Sequence, residues 1–145
     1  MPNLCVPDIV QAVRTSKAPK IYICNVMTQP GETDDYTVSD HIRAINRQAG
    51  GKVIDFVIAN NGDVDPAVLQ RYVAHGSHPV MIDKKEVSQT GATLIRADLI
   101  NKENSATHDT TKLANVLCDL INALRTDLSP ELLHYYLKRY TFNHR

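Results

Sequence analysis

The sequence has no excess of charge of either sign: 16 Lys and Arg are matched by 16 Asp and Glu, for a formal net charge of zero. A surface that binds nucleic acid needs clustered cations to neutralise phosphates, and the pairs Lys84-Lys85 and Lys138-Arg139 are too short to supply one. Nucleic acid is therefore not an expected partner. Long apolar runs are missing as well. None approaches the ~18 to 20 residues of a membrane helix, and no charged, apolar, small-residue leader opens the sequence. The expectation is a cytoplasmic chain without a membrane partner. Cysteine is sparse and odd in number; Cys5, Cys24 and Cys118 are widely spaced among apolar neighbours, which fits buried thiols in a reducing compartment better than a disulfide framework. Zinc-type Cys/His pairings, a nucleophile elbow, a phosphate loop and calcium-loop spacings are all lacking, so hydrolase and nucleoside-triphosphatase chemistry has little support and no metal site is expected. Neither an internal repeat nor a low-complexity tract occurs.

What is present is an ordinary globular composition, 43% hydrophobic and 22% charged over 145 residues, enough for one domain with a buried core. Residues 6–14 carry Val6, Ile9, Val10 and Val13 at helical spacing, but residues 1–5 supply neither a strand nor a cap for that helix. Residues 20–25 and 53–59 read as strands apolar on both faces, as in the interior of a parallel sheet. Between them Thr37 is a plausible N-cap for a helix lined by Val38, Ile42 and Ile45 and ended by 49–51. Asp65-Pro66 opens a second helix with Val68, Leu69, Tyr72 and Val73, closed by Gly76. A short strand at 79–82, a charged segment at 83–86 and an edge strand at 92–99 follow. Asp109 caps the longest helix, in which Leu113, Val116, Leu117, Leu120, Ile121 and Leu124 keep a 3.6-residue period, and Ser129-Pro130 starts a last one. Strands alternating with helices predict a mostly parallel sheet in a three-layer α/β/α sandwich. With only three or four strands, such a sheet wants more beside it.

The chain is organised around the loop after the first strand. In Gln29-Pro30-Gly31-Glu32 proline and glycine occupy the central positions of a type II turn, which predicts outward-facing amides at Glu32 and Thr33 beside a helix N-terminus that favours anions. The other reading is a connector whose hydroxyls and carboxylates cap the helix. Glu32, Asp34, Asp35 and Asp40 invite a hard cation, although first-turn acids are also normal at a helix start. His41 is either a phosphate donor or acid/base, or an imidazole bonded to a nearby carboxylate. His75 and His78 flank a glycine turn without further ligands, and His108 precedes a helix cap. Tyr72 is either core or a stacking platform for a ring.

The irregular run Asn25-Val26-Met27-Thr28-Gln29-Pro30-Gly31-Glu32-Thr33-Asp34 with Ser39-Asp40-His41 resembles the signature of the YvcK-like gluconeogenesis factors, relatives of the CofD-type 2-phospho-L-lactate transferases. Residues 2–9, 53–58 with Asn60-Asn61, and 79–83 resemble further family segments, so the likeness covers nearly the whole chain. The resemblance implies a Rossmann-like fold in proteins about twice this length, with 1–145 corresponding to the C-terminal half and the glycine-rich loop lying in the other half. It implies a cytoplasmic binder of nucleotide sugars of the UDP-glucose and UDP-N-acetylglucosamine type, in carbon metabolism and in cell-wall or cell-shape control. The alternatives are a phospholactyl or phosphotransferase-like enzyme using Mg²⁺, and an inactive interaction module; a homo-oligomer is compatible with each. The ligand residues it implies are Asn25, Thr28, Gln29, Gly31, Glu32, Thr33, Asn60 and Tyr72, with Asp34, Asp35 and His41 as candidates for catalysis. Thr107 stands where the resemblance leads one to expect arginine, which removes one expected anion contact.

Overall fold

A computed structural model describes residues 2–102 and 105–125. Three short strands, β1 (Ile21–Ile23), β2 (Phe56–Asn60) and β3 (Thr93–Ala97), form a parallel sheet in the order β1-β2-β3. Tyr22 pairs with Val57 and Val57 with Leu94, so one register crosses all three strands. Parallel neighbours need a crossover between them. Helix α2 (Val38–Gln48) connects β1 to β2, and α3 (Pro66–Val73) and α4 (Lys84–Gln89) connect β2 to β3. Helix α1 (Pro7–Thr15) precedes the sheet and α5 (Thr110–Arg125) follows it.

Alternation along the strands splits the core in two. On one face Cys24, Val57 and Ala59 pack with Val38, Ile42 and Ile45 of α2 and Val87 of α4. On the other, Ile58, Ile95 and Ala97 meet Val116 and Leu120 of α5. Helices on both faces of a sheet apolar on both sides make the three-layer α/β/α sandwich that the strand pattern predicts. A third apolar cluster, with Val26, Met27, Val68 and Ile100 at its centre and Tyr72 against it, lies past the strand ends and supports the loops there.

The local signals explain most element ends. Thr37 and Asp40 form a capping box on α2, and Asp65 takes the amides of Ala67 and Val68 at the start of α3. Asp109 accepts from the Lys112 amide at the start of α5. Before α1 lies a 3-10 turn (Pro2–Cys5), and Val6 gives that helix no side-chain cap, as its sequence suggests.

Three expectations change. Residues 79–82 form no strand. Pro79 makes one antiparallel bridge with Met27, and Val80 donates to the Val26 carbonyl at 2.9 Å; proline's missing N–H stops the ladder there. The charged segment after it is helical, as α4. The strands are also shorter than the apolar runs that contain them, because flanking backbone is tied to side chains: the Lys20 amide to Asp55 and the Val53 amide to Asn46. The predicted last helix, from Ser129, lies outside the described residues. None of the described helices is long and apolar enough to cross a membrane.

Candidate functional site

All three strands run the same way, so the segments leaving β1, β2 and β3 gather on one rim, the usual ligand side of an open parallel sheet. Two of these segments are stitched together. The Thr28 amide donates to His78 O at 2.7 Å, the His78 amide returns to Thr28 Oγ1 at 2.9 Å, and Ser77 Oγ donates to Thr28 O at 2.5 Å. Thr28 is thereby 4% exposed and acts as a rivet between residues 26–28 and 77–80.

Beside the rivet lies a cleft of about 450 Å³. Asn25, Thr28 and Gln29 form one wall, Tyr72, His75 and Ser77 another, and Thr107 and His108 a third. No described residue on these walls is Lys, Arg, Asp or Glu, so the cleft offers hydrogen bonds and a ring surface rather than formal charge. His75 Nδ1 lies 2.7 Å from Arg71 O, a carbonyl that can only accept, so Nδ1 donates there and Nε2 is the ring nitrogen left for other partners. Burial holds the His108 imidazole below its ordinary pKa, against the opposing pull of the Cys24 backbone, so His108 is neutral at pH 7.

The turn beside the cleft is closed on itself. Gly31 has φ 79, as a type II turn requires. The amides of Glu32 and Thr33, expected to face outward, both donate to Gln29 O, at 3.0 and 2.9 Å. The Gly31 amide goes to Asp34 Oδ2 at 2.9 Å, and the Gln29 amide to Thr33 Oγ1 at 2.8 Å. Gly31, Glu32 and Thr33 thus shape the turn from outside the cleft wall. Asp35 takes φ 57, a left-handed conformation that aspartate tolerates.

The α2 N-terminus, expected to attract an external anion, already holds an internal one. Asp83 accepts from the Ser39 amide at 3.0 Å, from Ser39 Oγ at 2.5 Å and from Thr37 Oγ1 at 2.8 Å. Burial alone would raise its pKa, yet the donors on Ser39 and Thr37 outweigh that and hold it below the ordinary carboxylate value. Asp40 is held low chiefly by its hydrogen bonds with Thr37 and is paired with Arg43 at 3.3 Å. Asp34 and Asp40 thus accept hydrogen bonds from within the loop and the helix start, and among the described residues no group of three His, Cys, Asp or Glu is placed to hold a metal.

His41 is 5% exposed, and its Nδ1 lies 2.8 Å from Thr37 O rather than beside a carboxylate. Tyr36 packs edge-on to its ring, with centroids 5.3 Å apart. Cys24 is a poor nucleophile, because burial pushes its thiol up to about 12; burial also raises the neighbouring Tyr22 hydroxyl. Asn60 Oδ1 accepts from the Gly62 and Leu99 amides at 3.1 and 2.9 Å, so it pins the ends of β2 and β3 together.

The implied site residues therefore divide by position. Asn25, Thr28, Gln29 and Tyr72 line the cleft; Gly31, Glu32, Thr33, Asp34 and Asp35 belong to the turn; His41 and Asn60 are fixed within the rim. His75 and Ser77 join the cleft without having been expected there. Their signal was the glycine turn at Gly76, which returns the chain from α3 to the rim. Among the described residues three buried side-chain polar atoms have no hydrogen-bond partner: His41 Nε2, Asn61 Oδ1 and His108 Nε2. Each belongs to a segment that follows a different strand on this rim.

Comparison with known proteins places this geometry in a family. The family model for 2-phospho-L-lactate transferase CofD matches residues 1–100. The gluconeogenesis factor of Bacillus subtilis is 40% identical over 122 residues, 83% of this chain and 38% of its own length. A Clostridium acetobutylicum relative is 38% identical over 142 residues, 96% of this chain and 32% of its own. The crystal structure of BH3568, a UPF0052 family member from Bacillus halodurans, superimposes with a TM-score of 0.77 at 34% identity, over 81% of this chain and 38% of that one. The chain thus spans about a third of the length of the relatives it matches. It belongs to the CofD family and is similar over most of its length to the gluconeogenesis factors.

Proposed function

We propose that this chain forms one wall of a nucleotide-sugar site in a cytoplasmic gluconeogenesis-factor protein that acts in carbon metabolism and in cell-wall or cell-shape control. The observation that carries the reading is the pairing of a cleft rich in neutral hydrogen-bonding groups with unpartnered buried polar atoms in the same rim. Buried polar groups in a completed site normally have partners. A sugar ring offers both hydroxyl donors and acceptors to Asn25, Gln29, His75 and His108, and Tyr72 suits one of its apolar faces. The closed turn at 29–33 and the internal anion at α2 favour a ligand held here mainly by its uncharged part. Isothermal calorimetry with UDP-N-acetylglucosamine tests this: saturable binding, weakened by Tyr72→Ala, is expected. No heat and no thermal shift would refute it.

A second reading has one observation in its favour, the description of the matching family model as a 2-phospho-L-lactate transferase. It predicts phospholactyl transfer in the presence of Mg²⁺. Absence of turnover in that assay, alongside UDP-sugar binding, would leave the binding role.

A further inference from the structure

Strand β1 is an edge of the sheet, and its outer side is open. The Cys24 amide donates to Ile58 O at 2.9 Å and the Phe56 amide to Lys20 O at 3.1 Å. Backbone groups of successive residues face alternate sides of a strand. Residues 20, 22 and 24 therefore face β2, and the N–H and C=O of Ile21 and Ile23 face outward. Among the described residues no strand lies on that side.

An open edge is a template for another strand, and folds usually blunt it with charge, proline or a bulge. The two edges of this sheet differ in that respect. β3 carries Arg96 and an exposed Thr93. β1 is Ile21-Tyr22-Ile23, with neither charge nor proline, and all three residues are half-buried beside the fully buried centre of β2. Its nearest charge, Lys20, is already paired with Asp55 at 3.3 Å. The segment that leads into β1 adds apolar surface: α1 has no buried residue, and Val6 and Ile9 are 45% and 41% exposed.

This edge is complementary to itself. In antiparallel pairing, two residues that face each other with outward backbone groups exchange both N–H···O bonds. Centring the pairing on Tyr22 sets Ile21 of each copy opposite Ile23 of the other, so every outward donor and acceptor of the strand is satisfied. Tyr22 then meets its own counterpart in the closer, non-hydrogen-bonded pair, where aromatic side chains attract. With zero formal net charge, two copies do not repel each other overall.

We propose that the open edge of β1 is a homodimer interface, at which two copies pair β1 antiparallel about a two-fold axis at Tyr22 and join their three-stranded sheets into one of six strands. The paired strands run in opposite directions, so the two rims lie at opposite ends of the joined sheet and both stay open. The proposal does not depend on what the rim binds.

Sedimentation and amide hydrogen exchange of the purified 145-residue chain test it together. The expected result is a mass that rises with concentration to twice that of the monomer, with the Ile21 and Ile23 amides becoming protected over the same range. Ile23→Pro removes one outward donor and no bond to β2, a substitution that an edge strand tolerates. Symmetry loses that bond twice, so dimerisation should weaken about tenfold or more. The exchange arm uses unaltered protein and stands whether or not the variant folds. A chain that stays monomeric at every concentration would overturn the proposal. So would a dimer in which the Ile21 and Ile23 amides exchange freely, or a folded Ile23→Pro variant that dimerises as tightly as the wild type.

Discussion

Replacing Asp83 by asparagine removes a charge that joins two segments 44 residues apart in sequence. The carboxylate caps α2 from outside that helix, taking the Ser39 amide and two hydroxyls at 2.5 to 3.0 Å. Hydrogen bonds to a charged group contribute ~1.5–3 kcal/mol each in favourable cases, and an anion at a helix N-terminus contributes a further ~0.3–1 kcal/mol. The carboxylate is only partly buried and the three bonds are not additive, so the sum is an upper bound. Asp83→Asn keeps the shape and loses the charge; about 1–2 kcal/mol is expected. Asp83→Ala leaves Thr37 and Ser39 to water and should lose about 2–4 kcal/mol. Urea unfolding followed by circular dichroism measures both. The pH dependence supplies a sharper check. Because the folded-state pKa of Asp83 is depressed, its stabilisation is fully present above the unfolded value near 3.9 and is lost as pH falls through the folded value. The difference between wild type and Asp83→Asn should therefore shrink as pH drops from 5 to below 3. A variant within about 0.5 kcal/mol of wild type at pH 7, the range of an ordinary surface substitution, would refute the reasoning. So would a gap independent of pH.

Gly62→Ala should lower stability by about 2 kcal/mol or more, since overpacking a tight site costs about that much: an added Cβ would stand 2.1 Å from Asp98 Oδ1, displacing the carboxylate that pairs with Lys112 at 3.1 Å. Thermal unfolding checks this, and Asp98→Ala in the same background should restore part of the loss. Cys24, buried with its thiol raised to about 12, should resist iodoacetamide at pH 8, whereas the exposed Cys118 reacts. Mass spectrometry of the alkylated chain reads both sites, and rapid labelling of Cys24 in folded protein would contradict its placement.

The sequence made legible those features that depend on neighbours in the chain. Thr37 and Asp40 stand three residues apart, so their capping box could be read directly, and Asp65-Pro66 announced α3 in the same way. The both-faces-apolar runs around Cys24 and Val57 implied helices on both sides of the sheet, which the two core clusters contain. Contacts made across the fold were not legible. Asp83 sits at the N-cap position of α4 but its side chain serves α2, so local reasoning left the α2 terminus open to an anion. The turn at Gly31 was recognised by type, yet the direction of its amides depends on Gln29 O closing the ring. His41 has acidic neighbours in sequence, but helical geometry delivers its Nδ1 to the Thr37 carbonyl one turn back. His75 and Ser77 reach the cleft only because Thr28 ties their segment to the end of β1. In each case the deciding partner is either a distant side chain or a backbone group whose orientation the sequence does not state.

The central claim is that ligand meets this chain on the rim past the strand ends. Backbone amide shifts of the ¹⁵N-labelled chain, recorded while UDP-N-acetylglucosamine is added, test it most directly. The predicted result is a saturable set of shifts confined to residues 25–29, 60–64, 72–77 and 106–108, with α1 and the far end of α5 unmoved. Shifts centred on α1 or α5, or no shifts at saturating ligand, would contradict it.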